Sequence, residues 1–180
     1  MLDFSRNHFE LFDLPARYRI DAMALDAAYR KLQSEVHPDR FARGTDADRR
    51  MALQSSARVN EAYGALKDPV QRAQYLLSIN GVDAVGETDT QLPLDFLERQ
   101  LERREEASDA LAAGDERTLS SLREAVRSDA REIEDQLARE LDAGADFASA
   151  KPHVRELTFL AKLAGDIGEM MASLDERLDG

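Results

Sequence analysis

The sequence contains no cysteine. Disulfides, thiolate zinc sites, cysteine nucleophiles and cysteine-ligated iron–sulfur clusters are excluded together. Histidine is scarce as well: His8, His37 and His153 are far apart in the chain. There is no tryptophan, and glycine and proline number only 9 and 5, which suits a mostly helical protein better than a strand-and-turn one. No apolar run approaches the roughly 18 to 20 residues that a membrane span needs. The opening stretch MLDFSRNHFELFDLP lacks the basic-then-apolar layout of a signal peptide. GxxxxGK[ST], GxGxxG and a nucleophile elbow are also missing, which argues against P-loop ATP hydrolysis, dinucleotide binding and serine hydrolysis. These absences lead to the expectation of a cytoplasmic, non-enzymatic protein with no membrane segment, metal or cofactor.

What is present divides the chain in two. Apolar residues make up 43% and charged residues 33% of the 180, enough for a buried core and a solvated surface. The net charge is −12 and unevenly spread. Residues 1–78 carry 12 Lys/Arg against 11 Asp/Glu, and residues 79–180 carry 12 against 25. A half at −13 disfavours nucleic acid, since phosphate binding relies on positive potential. It also suggests two modules with different partners. NGVDAVGETDTQLP, residues 80–93, is the stretch with loop composition and reads as the boundary between them.

Helical periodicity dominates both halves. Leu25, Ala28, Tyr29, Leu32 and Val36 share one face of a helix over 21–36, with Asp21 as N-cap. Ala52, Ser55, Val59, Ala62/Tyr63 and Leu66 give a second helix over 46–66, so the two form an antiparallel hairpin. A short helix before Pro15 offers Phe9, Leu11, Phe12 and Leu14 to plug it, and another follows Asp68-Pro69 to about Leu77. Beyond the boundary, the spacing predicts helices over 94–113, 116–141 and 151–178. The second presents Leu119, Leu122, Val126, Ile133, Leu137 and Leu141, weakest at Asp129/Ala130. The third has Val154, Leu157, Ala161, Ala164, Gly168 and Met171 as its core stripe. Short connections make this a three-helix bundle, and no strand pattern survives. The expected fold is all-α.

The hairpin loop carries the most pointed chemistry. In YRKLQSEVHPDRF, Pro38 removes a donor and drives His37 out of helical geometry, so the first helix must stop there. His37-Pro38-Asp39 then sits in a loop, with Arg30, Lys31, Arg40 and Arg43 nearby. Catalysis by His37 and Asp39 is disfavoured, because neighbours on a turn do not reliably aim their side chains at each other. A metal site is disfavoured because no third ligand stands at a suitable spacing. A docking knob uses all three residues: Pro38 sets the backbone, Asp39 projects a carboxylate, and His37 is a hydrogen-bond donor. Any one of the basic residues could be plain solvated surface.

These residues carry a resemblance. AYRKLQSEVHPDR followed by NEAYGALKDPVQRAQY makes residues 8–77 resemble a J domain, the module that stimulates ATP hydrolysis by DnaK-type chaperones. FELFDLPARYRID, HPDRFA, QSSARVNEAYGALKDPVQRAQYLLSINGVD, DFLERQLERREE and RELTFLAKL follow, in order and spacing, the HscB family of iron–sulfur co-chaperones across nearly the whole chain. The resemblance implies a J domain over 1–79, a linker over 80–93 and a client-binding domain over 94–180. It implies an HscA/DnaK-type ATPase as one partner, met by His37, Pro38 and Asp39 with Arg30, Lys31, Arg40 and Arg43 steering. It implies an IscU-type iron–sulfur scaffold as the other, met by Leu97, Leu101, Glu105, Asp109 and Phe159. A J protein with a different client is the alternative. Arg40 replaces a more usual lysine, and Glu98 stands where relatives often carry methionine, which implies a smaller apolar patch.

Apart from the resemblance, Leu97, Leu101, Glu105 and Asp109 fall at i, i+4, i+8 and i+12 and form one slowly drifting stripe. Phe159, Leu163, Ile167 and Met170 form a second stripe beside the one assigned to the core. These side chains either widen the core or form an exposed partner patch, and periodicity leaves the two open.

Overall fold

The structure is a computed structural model that describes residues 2–42, 44–83 and 92–178, with side chains described to Glu176. Among them every regular element is helical. The chain divides into two compact units, Met1–Asn80 and Gly81–Gly180.

In the first unit, α1 (His8–Leu11) is closed by a capping box between Asn7 and Glu10. It buries Phe9, Leu11 and Phe12. The long hairpin is α2 (Ala22–Val36) and α3 (Asp46–Lys67). Asp21 caps α2 by accepting the amides of Met23 and Ala24. Thr45 and Asp48 form the reciprocal box that starts α3. The face of α3 made by Ala52, Ser55, Val59, Ala62 and Leu66 is buried throughout, as the spacing requires. Pro69 at the first turn and the Asp68 cap begin α4 (Pro69–Ile79). Its Arg72 donates to the Leu66 carbonyl at 2.6 Å and lies over the Tyr18 ring. Tyr18 is only 2% exposed, a core member that the helical stripes did not identify, because it sits in a connecting segment.

The second unit is a three-helix bundle of α5 (Leu94–Ala113), α6 (Glu116–Ala138) and α7 (Phe147–Leu178). Gly114 ends α5 in left-handed backbone, φ 70°, a conformation glycine reaches without steric penalty. Asp115 then caps α6 through the Thr118 amide. Three features correct the sequence reading. The second helix does not run as α-helix to Leu141: α6 stops at Ala138 and one π-helical turn, Arg139–Gly144, follows. Leu141 stays buried in that turn. The third helix begins a turn before Lys151, because Asp146 caps it, accepting the Ser149 amide, and so Pro152 lies just inside it.

The core stripe of α7 is also different. Val154 and Leu157 are buried, but the stripe continues through Leu160, Leu163, Ile167 and Leu174. Ala161 is exposed and Ala164, Gly168 and Met171 are half-buried. The larger aliphatic side chains take the interior because they remove more apolar surface from water. Leu163 and Ile167 therefore belong to the core and not to an exposed second stripe.

Candidate functional site

The first site grows from the end of α2. With no amide proton at Pro38, the helix cannot continue, and His37 takes φ −59°, ψ 129°. A single 3-10 turn, Pro38–Phe41, follows. His37 caps it: the Asp39 amide donates to the ring Nδ1 at 3.3 Å. The sequence reading made His37 a donor; within the turn its Nδ1 is an acceptor, which leaves the proton of the neutral ring on Nε2. The Asp39 carboxylate lies 3.7 Å from the same Nδ1, and its side chain is 91% exposed. An imidazole accepting through Nδ1 is not oriented by that carboxylate, so the pair lacks the base–orienter hydrogen bond of a catalytic dyad. Among the described residues no group of three or more His, Cys, Asp or Glu is placed to hold a metal ion.

The turn is stitched down by Arg40, whose guanidinium donates to the Ser34 carbonyl at 3.3 Å. Arg30, Lys31 and Arg40 are exposed; Arg43 lies outside the described residues. Beneath the turn, α2 and α3 are locked together. Tyr29 and Tyr63 stack at 4.0 Å, Tyr29 donates to Asn60, and Tyr63 donates to Asp26 at 2.8 Å. The Tyr63 hydrogen bond, helped by Lys67, holds the Asp26 carboxyl below its usual value. A groove of about 380 Å³ lies beside the turn, lined by Leu32, Val36, Phe41 and Met51 with Arg6, Glu35 and Asp48 among the charged groups. The geometry presents one unburied carboxylate on a rigid, externally facing turn.

The second site lies on α5. Leu97 and Leu101 are 38% and 59% exposed, and Glu105 and Asp109 are exposed beyond them. Leu94, 71% exposed, extends the strip by one turn; sequence reasoning missed it, although its place three residues before Leu97 was a signal. Phe159 is half-buried and meets Phe96 edge-on at 5.8 Å. It thus belongs partly to the core and partly to the surface. Nearby, Glu156 has its carboxyl pushed above the usual range by burial, with Asp95 adding to the effect and His153 opposing it.

The interior beneath α5 holds polar contacts that the stripes did not reveal. Gln100 is 1% exposed and accepts from Arg103. Arg103 also donates to Asp129 of α6 at 2.8 Å, both side chains being mostly covered. The weak point of the α6 stripe at Asp129 is therefore an ion-paired position. Two opposite charges on otherwise apolar faces were the available signal.

Comparison with known proteins places both units. Residues 7–75 match the DnaJ domain family. Residues 92–168 match the family described as the HSCB C-terminal oligomerisation domain. The chain is 44% identical over 175 residues to the co-chaperone protein HscB homolog of Burkholderia multivorans, covering 97% of this chain and 99% of that protein. The homolog from Ralstonia nicotianae is 45% identical over 172 residues, covering 96% and 98%. Among solved structures, chaperone HscB from Vibrio cholerae superposes with a TM-score of 0.83 at 36% identity, covering 94% of this chain and 99% of that one. Human co-chaperone HscB gives 0.85 at 26% identity, covering 92% and 82%. With a J domain followed by an HscB-type helical domain, and close relatives matched along nearly their full length, the chain belongs to the HscB co-chaperone family.

Proposed function

We propose that the chain is a J-type co-chaperone that stimulates ATP hydrolysis by an HscA/DnaK-type chaperone and delivers an IscU-type iron–sulfur scaffold to it, in support of iron–sulfur protein maturation. The observation that carries this reading is the Asp39 carboxylate, 91% exposed on a turn fixed by Pro38 and capped by His37. A pre-set carboxylate loses little entropy on meeting a cationic group, and charge-assisted pairs are the strong ones. Arg30, Lys31, Arg40 and Arg43 supply a positive field beside it that steers the turn toward an acidic partner surface. The chain performs no catalysis itself and works in the cytoplasm.

The client half of the reading uses Leu97, Leu101, Glu105, Asp109 and Phe159. The exposed leucines act as apolar anchors and the two acids set register, in keeping with how few side chains dominate an interface. Residues 1–79 serve as the J domain, 80–93 as the linker and 94–180 as the client domain. Carrying both sites on one chain raises the effective concentration of client at the chaperone. Glu98, exposed beside Leu97, narrows the apolar strip and favours, as second reading, a J protein with a different client.

The test is a two-part assay with purified HscA-type ATPase and IscU. The chain accelerates ATP hydrolysis in the absence of client, and IscU binds it and raises the stimulated rate further. Stimulation without IscU binding selects the different-client reading, and no stimulation removes the proposal.

A further inference from the structure

A basic groove runs between α6 and α7 in the acidic half of the chain. It is lined by Arg123, Arg127 and Arg131 of α6, with Glu134 at one end, and floored by Leu160, Ala161, Ala164 and Gly165 of α7, enclosing about 440 Å³. The three arginines stand at i, i+4 and i+8, about 6 Å apart along one ridge. Arg131 is paired with Glu124 at 2.7 Å. Arg123 and Arg127 make no ion pair among the described residues, and the Arg123 Nε is buried without a hydrogen-bond partner.

The floor is kept low at a cost. Glycine in a helix interior is less stable than alanine, yet α7 has Gly165 and Gly168 one turn apart. A Cβ at Gly168 would stand 3.0 Å from Arg123 Nη2 and 3.1 Å from its Cζ. Glycine there lets the guanidinium lie flat across the helix. A Cβ at Gly165 would meet nothing within 4 Å, so no internal contact demands glycine at that position. Paired small residues, Ala161 with Gly165 and Ala164 with Gly168, let another helix backbone come close.

The matching surface is on the chain itself. Glu98, Glu102 and Glu106 of α5 are exposed, stand at the same i, i+4, i+8 spacing, and make no ion pair among the described residues. Beside this ridge run Leu94, Leu97 and Leu101, exposed apolar side chains with surface left to bury. Ridges of i±4n spacing interdigitate in the commonest class of helix packing. We infer that α5 of a second copy of this chain seats in the α6/α7 groove, with its Glu98–Glu102–Glu106 ridge against Arg123–Arg127–Arg131. Self-association by this route also covers Leu97 and Leu101 and so competes with client capture; that consequence alone rests on the client reading.

Sedimentation of the full chain over a concentration series reaching about 1 mM tests it, because weak homotypic contacts show in that range. Wild type forms a complex larger than a monomer. R123E/R127E and E98K/E102K, all at surface-facing positions, each weaken self-association by about tenfold or more, since like charges then face each other. An equimolar mixture of the two variants regains a complex, because one copy offers an acidic groove and the other a basic ridge. Strictly monomeric wild type overturns the inference. So does a wild-type complex that both charge-reversed proteins retain. Loss of the complex in both variants without recovery on mixing also overturns it.

Discussion

Truncating Leu97 and Leu101 together to alanine should separate binding from folding. Burying a leucine fully is worth about 1.5 to 3 kcal/mol. A partner can add only the part still open to solvent, which is larger for Leu101 at 59% than for Leu97 at 38%. Together the two truncations should remove about 2 to 3 kcal/mol of binding free energy, or about 30- to 150-fold in Kd. The folded chain should lose less than this. Leu101 lies mostly in solvent and should cost within about 0.5 kcal/mol, and Leu97, more covered, about 1 kcal/mol. Phe159 is best left out of the variant, since its edge contact with Phe96 makes Phe159→Ala a folding mutation by about 0.5 to 1.5 kcal/mol beyond lost area. The measurements are a calorimetric isotherm with IscU, a melting curve, and ATPase stimulation without client, which should not change. Wild-type affinity in the double variant, or a melting point lowered as for a core cavity, would refute the assignment of this strip to the client.

Other outcomes follow from the titrating groups and buried polar contacts. His8 is 5% exposed and stacked on Tyr75, and burial, reinforced by Arg58, lowers its imidazole pKa. The unfolded chain therefore binds this proton more readily, so the first unit should lose stability as pH falls below about 6.5 toward the folded value. His8→Phe should flatten that part of a urea-midpoint profile; an unchanged slope would assign it elsewhere. Glu156 has its carboxyl raised chiefly by burial, so its ionised form penalises the fold as pH rises above the unfolded value. Glu156→Gln should raise the melting point at pH 7 and lose that advantage near pH 4, and equal effects at both would contradict the sign. Asp129→Ala should strand the largely covered Arg103 and cost about 1 to 3 kcal/mol in chemical denaturation; a neutral result would mean Arg103 is satisfied without it.

The hairpin was legible because several signals agreed. Asp21, Thr45 and Asp68 are caps, Pro38 and Pro69 are punctuation, and Leu25 through Val36 and Ala52 through Leu66 repeat at one period. The docking turn could be located from Pro38 alone. The tautomer of His37 could not, because it depends on one local hydrogen bond to the Asp39 amide. On α7, two apolar stripes satisfy the same 3-4 spacing, and counting residue type gave Ala161, Ala164 and Gly168 the same weight as Leu160, Leu163 and Ile167. Side-chain volume, not period, decided which stripe is inside. The extra π turn after α6 left no mark, since Leu141 keeps its buried place while the backbone changes its hydrogen-bond step. The Arg103–Asp129 pair joins residues 26 apart in sequence, beyond the reach of any local pattern. The exposure of Leu97 and Leu101 could not be read from spacing either, because it depends on α6 and α7 covering the opposite face of α5.

The most direct test of the account is Asp39→Ala assayed for stimulation of an HscA-type ATPase in single turnover. The carboxylate is 91% exposed, and the Asp39 amide that His37 accepts is backbone, so it survives the substitution. The fold should change by no more than about 0.5 kcal/mol, and amide-exchange protection of α2 and α3 should match wild type. The account predicts that stimulation falls to the basal rate while the melting curve and IscU binding are unchanged. Full stimulation by the folded variant would contradict it.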